Sequence, residues 1–419
     1  MKKLESQMRQ LAEKAMYASK ILATVDRKTK NRVLLTIAQQ LKKNWKQIES
    51  ANQKDLVFAR GNQLSGAMID RLTLNRDRIF KMADAVIEVA KLADPINRTL
   101  ASWLRPNGLK ISKISVPLGV ILIIYESRPN VTSECASLCL KSNNAVILRG
   151  GKEAFYSNQA IAKIYRSALK RAGLPDDSVI FVQTVDRKAI DALLKLNTSI
   201  NLVIPRGGES LIKRVASRSR IPVVKHDKGV CHVYVDKAAD LQKALAIAFN
   251  AKCQRTGVCN AMETLLVHQA IAKKFLPPYA DLLRKADCEI RGDQAVRRLI
   301  PDAKMAGEAD WYAEYLDKIL AIRVVKNIDE AIRHIQKYGS AHTDAVVTQD
   351  KRAAARFTSL VDSSSVMVNA STRFSDGNEF GFGAEIGIST EKIHARGPMG
   401  LEGLTSYKYI VQGNGQIRK

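Results

Sequence analysis

Cys259 lies in the run Asn250-Ala-Lys-Cys-Gln-Arg-Thr-Gly-Val-Cys-Asn-Ala-Met-Glu-Thr-Leu-Leu-Val-His268, directly after Gly257-Val258 and directly before Asn260. A thiol at a tight turn among small residues and amide donors suits covalent catalysis. The thiolate attacks a carbonyl carbon, and neighbouring N–H groups hold the oxygen as it gains charge. The same pattern also fits a plain buried cysteine, because free Cys is among the most buried residue types.

Three polar clusters could bind what such a thiol acts on. Leu148-Arg149-Gly150-Gly151-Lys152-Glu153 follows an apolar run and opens a helical one; glycines there let backbone amides approach a phosphate at a helix N-terminus. Arg149 or Lys152 could meet a ribose phosphate, or the stretch is an ordinary βα turn. Pro205-Arg206-Gly207-Gly208-Glu209-Ser210 repeats the arrangement, and two such turns in one sheet suit a cofactor stretched across the strand ends. Tyr125-Glu126-Ser127-Arg128-Pro129-Asn130 closes another strand. There Arg128 could clamp a carboxylate or phosphate, and Asn130 could donate to an oxyanion or N-cap the next helix. The Gly- and Phe-rich stretch Phe374–Gly387 reads as an ordered loop framing a site or as a connector. The histidines are dispersed, and none is cast as a base.

These residues need elements to position them. Leu4, Met8, Leu11 and Ala15 recur at helical spacing, as do Val33, Ile37 and Leu41 after Asp26 or Thr29. A further helix is expected over 77–92. Alternation around Pro106-Asn107-Gly108 predicts a hairpin. From Val116 onward, strands at 120–125, 144–148, 179–184 and 201–205 alternate with helices, and a short strand is expected at Val223–Val224. A second α/β unit begins near Cys231, with strands at 232–235, 263–267, 319–325 and 344–348. The Cys259 turn stands between a helix and a strand of that unit. Apolar strands alternating with helices predict a parallel sheet covered on both faces, although no GxGxxG is present. The C-terminal 405–411 reads as a strand.

Composition narrows the setting. A chain of 419 residues with 46% hydrophobic and 26% charged residues is an ordinary globular protein of two or three domains. Six cysteines without a CxxC pair or zinc spacing imply reduced thiols and no structural metal. Glu5, Arg9, Glu13 and Lys14 break up the N-terminus, so it is no secretory signal. The longest apolar run, Val116–Tyr125, is far short of a membrane span. The formal charge of +26 permits nucleic-acid binding. The basic residues are scattered, however, and aromatics are 6%, which leaves little stacking platform. A solvated basic surface fits better, and a third reading is a field that draws in anionic substrates and cofactors.

In chain order, VPLGVILIIYESRPNVTSECASLCLKSNNAVILRGGKEA (116–154), IPRGGES (204–210), KHDKGVCHVYVD (225–236), QRTGVCNAMETLLVH (254–268) and STRFSDGNEFGFGAEIGISTEKIHARGPMGLEGLTSYKY (371–409) resemble the gamma-glutamyl phosphate reductases, a proline-pathway family of the aldehyde dehydrogenase superfamily. The resemblance runs nearly the whole chain, and its last motif is highly specific. It implies an α/β, aldehyde-dehydrogenase-like fold in three parts. These are a Rossmann-like NADP-binding domain (1–104 and 117–229), a catalytic domain (230–388) and an oligomerisation β element (105–116 and 389–419). It implies NADPH-dependent reduction of L-glutamate 5-phosphate to L-glutamate 5-semialdehyde with phosphate release. Cys259 falls on the family's nucleophile. Asn130 lies near the superfamily's oxyanion-donating Asn, with Ser127 competing for that place; Ser127 and Arg128 are the expected substrate contacts. On the cofactor side stand Arg149, Lys152, Gly207, Gly208, Ser210 and Glu314. Gly207 and Gly208 match the superfamily's Gly-Ser turn, and Glu314 matches the Glu that binds the nicotinamide ribose.

Departures are informative. Hydrolytic relatives carry Glu-Leu-Gly-Gly-Lys, whose Glu activates water on the thioester. Here the stretch is Lys225-His-Asp-Lys-Gly229, without a Glu, which suits a reductase because water attack would waste the intermediate. Thr256 stands where the family has Pro, and Cys253 where it has Thr. The expected setting is a cytoplasmic homo-oligomer, with a possible association with the glutamate 5-kinase that makes the substrate, and with neither nucleic acid nor membrane as partner.

Overall fold

In the computed structural model, which describes residues 2–225 and 228–418, the amphipathic N-terminal run becomes α1 (Lys2–Leu22), α2 (Arg27–Lys43), α3 (Trp45–Gly61), α4 (Gly66–Leu72) and α5 (Arg76–Lys91). Asp26 caps α2, its side chain accepting from the amides of Lys28 and Thr29. The buried stripe of α1 is Met8, Ala12, Ala15, Ala18 and Leu22. Small residues along it admit close packing. The chain divides into two compact units: Met1–Lys225, Phe382–Gly387 and Met399–Lys419 form the first, and His226–Gly381 with Ile388–Pro398 the second.

The hairpin is present in the first unit. Its strands β1 (Thr99–Leu104) and β2 (Lys110–Pro117) pair antiparallel, and Thr405–Gln412 adds antiparallel to β2. The remaining strands are β3 (Val120–Tyr125), β4 (Ala145–Arg149), β5 (Val179–Phe181) and β6 (Leu202–Arg206), with α6 (Asn130–Lys141), α7 (Phe155–Arg171), α8 (Lys188–Leu193) and α9 (Glu209–Arg218) between and after them. They form a parallel sheet ordered β5-β4-β3-β6. Every residue of β3 and β4 is buried, as continuous apolar strands of a doubly covered sheet require. The strand order reverses between β3 and β6, and ligands of such sheets bind in the crevice beyond the strand ends there. Val223 contributes only an isolated bridge to Val203, because two β-branched residues after Pro222 make too short a run for a ladder.

The second unit has a seven-stranded parallel sheet. Its elements are β7 (Cys231–Val235), α10 (Leu241–Cys253), β8 (Met262–His268), α11 (Gln269–Lys285), β9 (Glu289–Gly292), α12 (Gln294–Leu299), β10 (Lys304–Met305), α13 (Glu308–Trp311), β11 (Ile319–Val325), α14 (Ile328–Tyr338), β12 (Thr343–Val347), α15 (Lys351–Leu360) and β13 (Ser365–Val368). The order is β10-β9-β11-β8-β7-β12-β13. β8 and β7 are central and buried throughout, so the turn entering β8 is anchored in the stiffest part of the sheet. Among the described residues no helix is long and apolar enough to cross a membrane.

Candidate active site

Cys259 lies in the turn between α10 and β8, half-buried and reduced. Val258 accepts from the Ala261 amide at 3.1 Å and closes the turn. Behind it runs the backbone of Gly229. A Cβ added to Gly229 would stand 2.0 Å from the Cys259 carbonyl oxygen and 2.7 Å from its Cα. Only glycine permits that approach. The Gly229 amide donates to Glu314 Oε1 at 2.9 Å, so the carboxylate that the resemblance places at the cofactor ribose is used here to fix the backbone beneath the thiol. The Cys231 thiol donates to the Cys259 carbonyl oxygen at 3.2 Å, and burial pushes the Cys231 pKa well up. Cys231 is thus a packing thiol.

Arg373 was missed as a candidate, although its motif carried the resemblance. Its Nε donates to Gln254 Oε1 at 2.9 Å and its Nη1 to Asn260 Oδ1. Asn260 Nδ2 donates in return to the carbonyl of Ser375 at 3.0 Å. One guanidinium therefore ties both flanks of the Cys259 turn. Burial, then the Arg255 charge, lowers the Arg373 pKa, while Asp376 and, after it, the Cys259 and Cys231 thiols act in the opposite direction. A cation within electrostatic reach favours the thiolate, the reactive form.

The remaining candidates belong to the first unit. At the end of β3, Ser127 has φ +28°, a left-handed conformation rare for a residue with a Cβ. Glu153 holds it there: Oε1 accepts from both the Ser127 amide and hydroxyl, at 2.7 Å each. The same carboxylate fills the space above Gly151, where a Cβ would stand 2.0 Å from Oε1. Glu126 does likewise at the other turn. Its Oε2 accepts from the Gly208 amide at 3.0 Å and would lie 2.5 Å from a Cβ on Gly207. Both glycine turns are thus shaped by carboxylates of the chain itself. Each acid lies within a motif read from sequence, but only the fold shows where it reaches.

Arg149, at the end of β4, is buried, and its two terminal nitrogens donate to the carbonyls of Gly150 and Val185. Its Nε is buried without a hydrogen-bond partner among the described residues. Lys152 is exposed, with Nζ 5.6 Å from the centre of the Phe58 ring. Ser210 is exposed on the first turn of α9. Arg128 is exposed. Asn130 begins α6 but makes no capping bond; its Nδ2 donates to Glu134 Oε1 at 2.7 Å, one turn on. Pro129 supplies the cap position, and its missing N–H costs nothing at a helix start. Of the stretch 225–229, His226 and Asp227 lie outside the described residues.

Comparison with known proteins fits this geometry. The model of the aldehyde dehydrogenase family matches residues 2–297. A gamma-glutamyl phosphate reductase of Carboxydothermus hydrogenoformans is 56% identical over 97% of this chain and 98% of its own. One from Nautilia profundicola is 50% identical over 98% and 100%. The crystal structure of the gamma-glutamyl phosphate reductase of Thermotoga maritima superposes with a TM-score of 0.97 at 46% identity, covering 98% of this chain and all of that one. An acetylating aldehyde dehydrogenase from Geobacillus thermoglucosidasius shares the fold, with a TM-score of 0.69 at 19% identity.

Proposed function

Because the chain belongs to the aldehyde dehydrogenase family, among its gamma-glutamyl phosphate reductases, we propose that it reduces L-glutamate 5-phosphate to L-glutamate 5-semialdehyde with NADPH and releases phosphate. This is the second step from glutamate to proline. The observation that carries the reading is the Cys259 turn, clamped by Arg373 on both flanks and backed by Gly229.

The Cys259 thiolate attacks the acyl carbon. The bond from that carbon to the phosphate oxygen breaks, phosphate departs with the electron pair, and a thioester remains on sulfur. Once its carbonyl carbon has been reduced by two electrons, the C–S bond breaks, the aldehyde leaves and the thiolate is restored. Asn130 has a second amide hydrogen besides the one given to Glu134, and that hydrogen serves the oxyanion. Arg128 takes an anionic end of the substrate, and Ser127 shapes the loop beside it.

The cofactor side fits an anionic dinucleotide. Gly208 has open space where a Cβ would be, Lys152 presents an exposed amine, Ser210 an exposed hydroxyl, and Arg149 a buried Nε that has no acceptor among the described residues. Bound there, NADPH supplies the hydride. Gly207 keeps the turn narrow, and Glu314 receives the nicotinamide ribose. The first unit is assigned to the cofactor and the second to the covalent step.

The three-stranded antiparallel sheet exposes Trp103, Tyr407, Tyr409 and Val411, which supports its assignment to a homo-oligomer contact. The free cysteines suit a cytoplasmic setting, and the upstream glutamate 5-kinase is the proposed partner.

The reverse assay tests this reading. Glutamate semialdehyde and NADP should yield NADPH only when phosphate is added; phosphate-independent formation would mean a free-aldehyde dehydrogenase instead. Cys259→Ala should abolish turnover and leave cofactor affinity nearly unchanged. A substantial residual rate contradicts the covalent route.

A further inference from the structure

Lys252, in the last turn of α10, and Glu263, on β8, are eleven residues apart, and the Cys259 turn lies between them. Both side chains are completely buried, and Lys252 Nζ donates to Glu263 Oε2 at 2.6 Å. The other oxygen, Oε1, accepts from the Leu316 amide at 3.2 Å. Leu316 has φ +53°, a left-handed conformation in which a leucine is uncommon. It follows Glu314 by two residues, and Glu314 holds the Gly229 amide beneath Cys259. One buried carboxylate therefore joins the helix that enters the turn, the strand that leaves it and the segment that secures its underside.

Stability does not account for the pair. Removing two charges from water costs several kcal/mol per ion, and well-packed apolar replacements are often neutral or stabilising. Burial pushes the Glu263 pKa up to about 7, although Lys252 opposes the rise. The Tyr315 ring, its centre 5.8 Å from Lys252 Nζ, lies against the pair. What the ion pair adds is a single register, since only one alignment of α10 against β8 brings Nζ and Oε2 together.

We propose that Lys252 and Glu263 are positioning residues that hold the Cys259 turn in its reactive geometry and couple it, through Leu316, to the Glu314 segment. The inference rests on the assignment of Cys259 as nucleophile. Neither residue touches substrate.

The test is the double variant Lys252→Met/Glu263→Leu in the full chain, with Lys252→Met alone as the second variant. In the single variant Glu263 can take up a proton, so no uncompensated charge is buried. Three quantities are measured: thermal unfolding, iodoacetamide alkylation of Cys259 against pH by peptide mass mapping, which separates it from the half-buried Cys253, and steady-state kinetics in the reverse direction. A displaced turn costs on the order of a hundredfold in kcat. The expected result is that loss with KM for NADP unchanged, unfolding close to wild type and an altered alkylation profile. Wild-type kcat with a wild-type alkylation profile in a folded variant overturns the proposal. So does a lowered unfolding temperature with kcat intact, which marks a purely structural pair. The alkylation readout needs no substrate, so a wild-type enzyme that never forms a glutamyl adduct on Cys259 sinks the functional reading separately.

Discussion

At the scale of single residues, Gly229 and Gly208 make a controlled comparison. Both lie in motifs, yet their surroundings differ. A Cβ on Gly229 would meet the backbone of Cys259 at 2.0 to 2.7 Å, whereas one on Gly208 would meet nothing within 4 Å. Backbone cannot rotate away as a flexible side-chain tip can, so Gly229→Ala must displace the turn. Overpacking of this kind costs about 1–3 kcal/mol. The displacement at the thiol should cost on the order of a hundredfold in kcat, because the attacking sulfur must stay aligned with the acyl carbon. Gly208→Ala should leave the urea midpoint unchanged and confine its effect to a raised KM for cofactor. Steady-state kinetics beside urea titrations of both variants check this. Equal effects of the two substitutions would remove the steric argument. The motif around Gly229 was visible in the sequence, but the contact was not, because the two backbones meet only after β7 and β8 pair.

At the scale of elements, the crevice between β3 and β6 is spanned by one side chain. Glu126 leaves the end of β3, its own amide donates to the Arg206 carbonyl on β6, and its carboxylate takes the Gly208 amide at the start of α9. A carboxylate at a helix N-terminus stabilises the helix by about 0.3–1 kcal/mol when exposed. It also sets a negative charge where an anionic cofactor group would otherwise find that N–H. Glu126→Gln keeps an acceptor for the Gly208 amide and removes the charge. The expected outcome is a lower Kd for NADPH, about twofold to fivefold for an interaction of this size, with kcat unchanged; fluorescence titration at two salt concentrations checks it. Weaker binding would mean that the charge organises the turn instead. The alternation of strand and helix from Val116 onward was legible, since period and turn residues carry it. The region 288–318 was not. It holds β9, α12, β10 and α13, each of six residues or fewer, and such runs are too short to show a period. Asn130 was open between cap and donor; the backbone places it just inside α6, with its amide on Glu134.

At the scale of the whole molecule, acid acts on a chain already carrying a formal charge of +26. His334, on α14, packs edge-on to Trp311 at 5.4 Å and against Tyr338 at 4.5 Å between ring centres. Its Nδ1 lies 3.2 Å from Arg323 Nη1 and so acts as acceptor, while Nε2 is buried without a partner among the described residues. Burial, then the neighbouring His232 and the Arg323 and Lys337 charges, pushes its pKa down to about 2 from an ordinary 6.5. Between those values the unfolded chain binds a proton that the folded chain refuses. Stability therefore falls as pH drops below 6.5, by up to about 1.4 kcal/mol per pH unit from this one group. His334→Asn keeps an acceptor for Arg323 and cannot titrate. The variant should lose some stability at neutral pH through the smaller side chain. Its unfolding free energy should nevertheless fall less steeply than that of wild type between pH 6.5 and about pH 5, a difference of about 2 kcal/mol over that interval. Urea unfolding at each pH measures both slopes. Parallel slopes would show that His334 already carries its proton in the folded protein and that the acid sensitivity lies elsewhere.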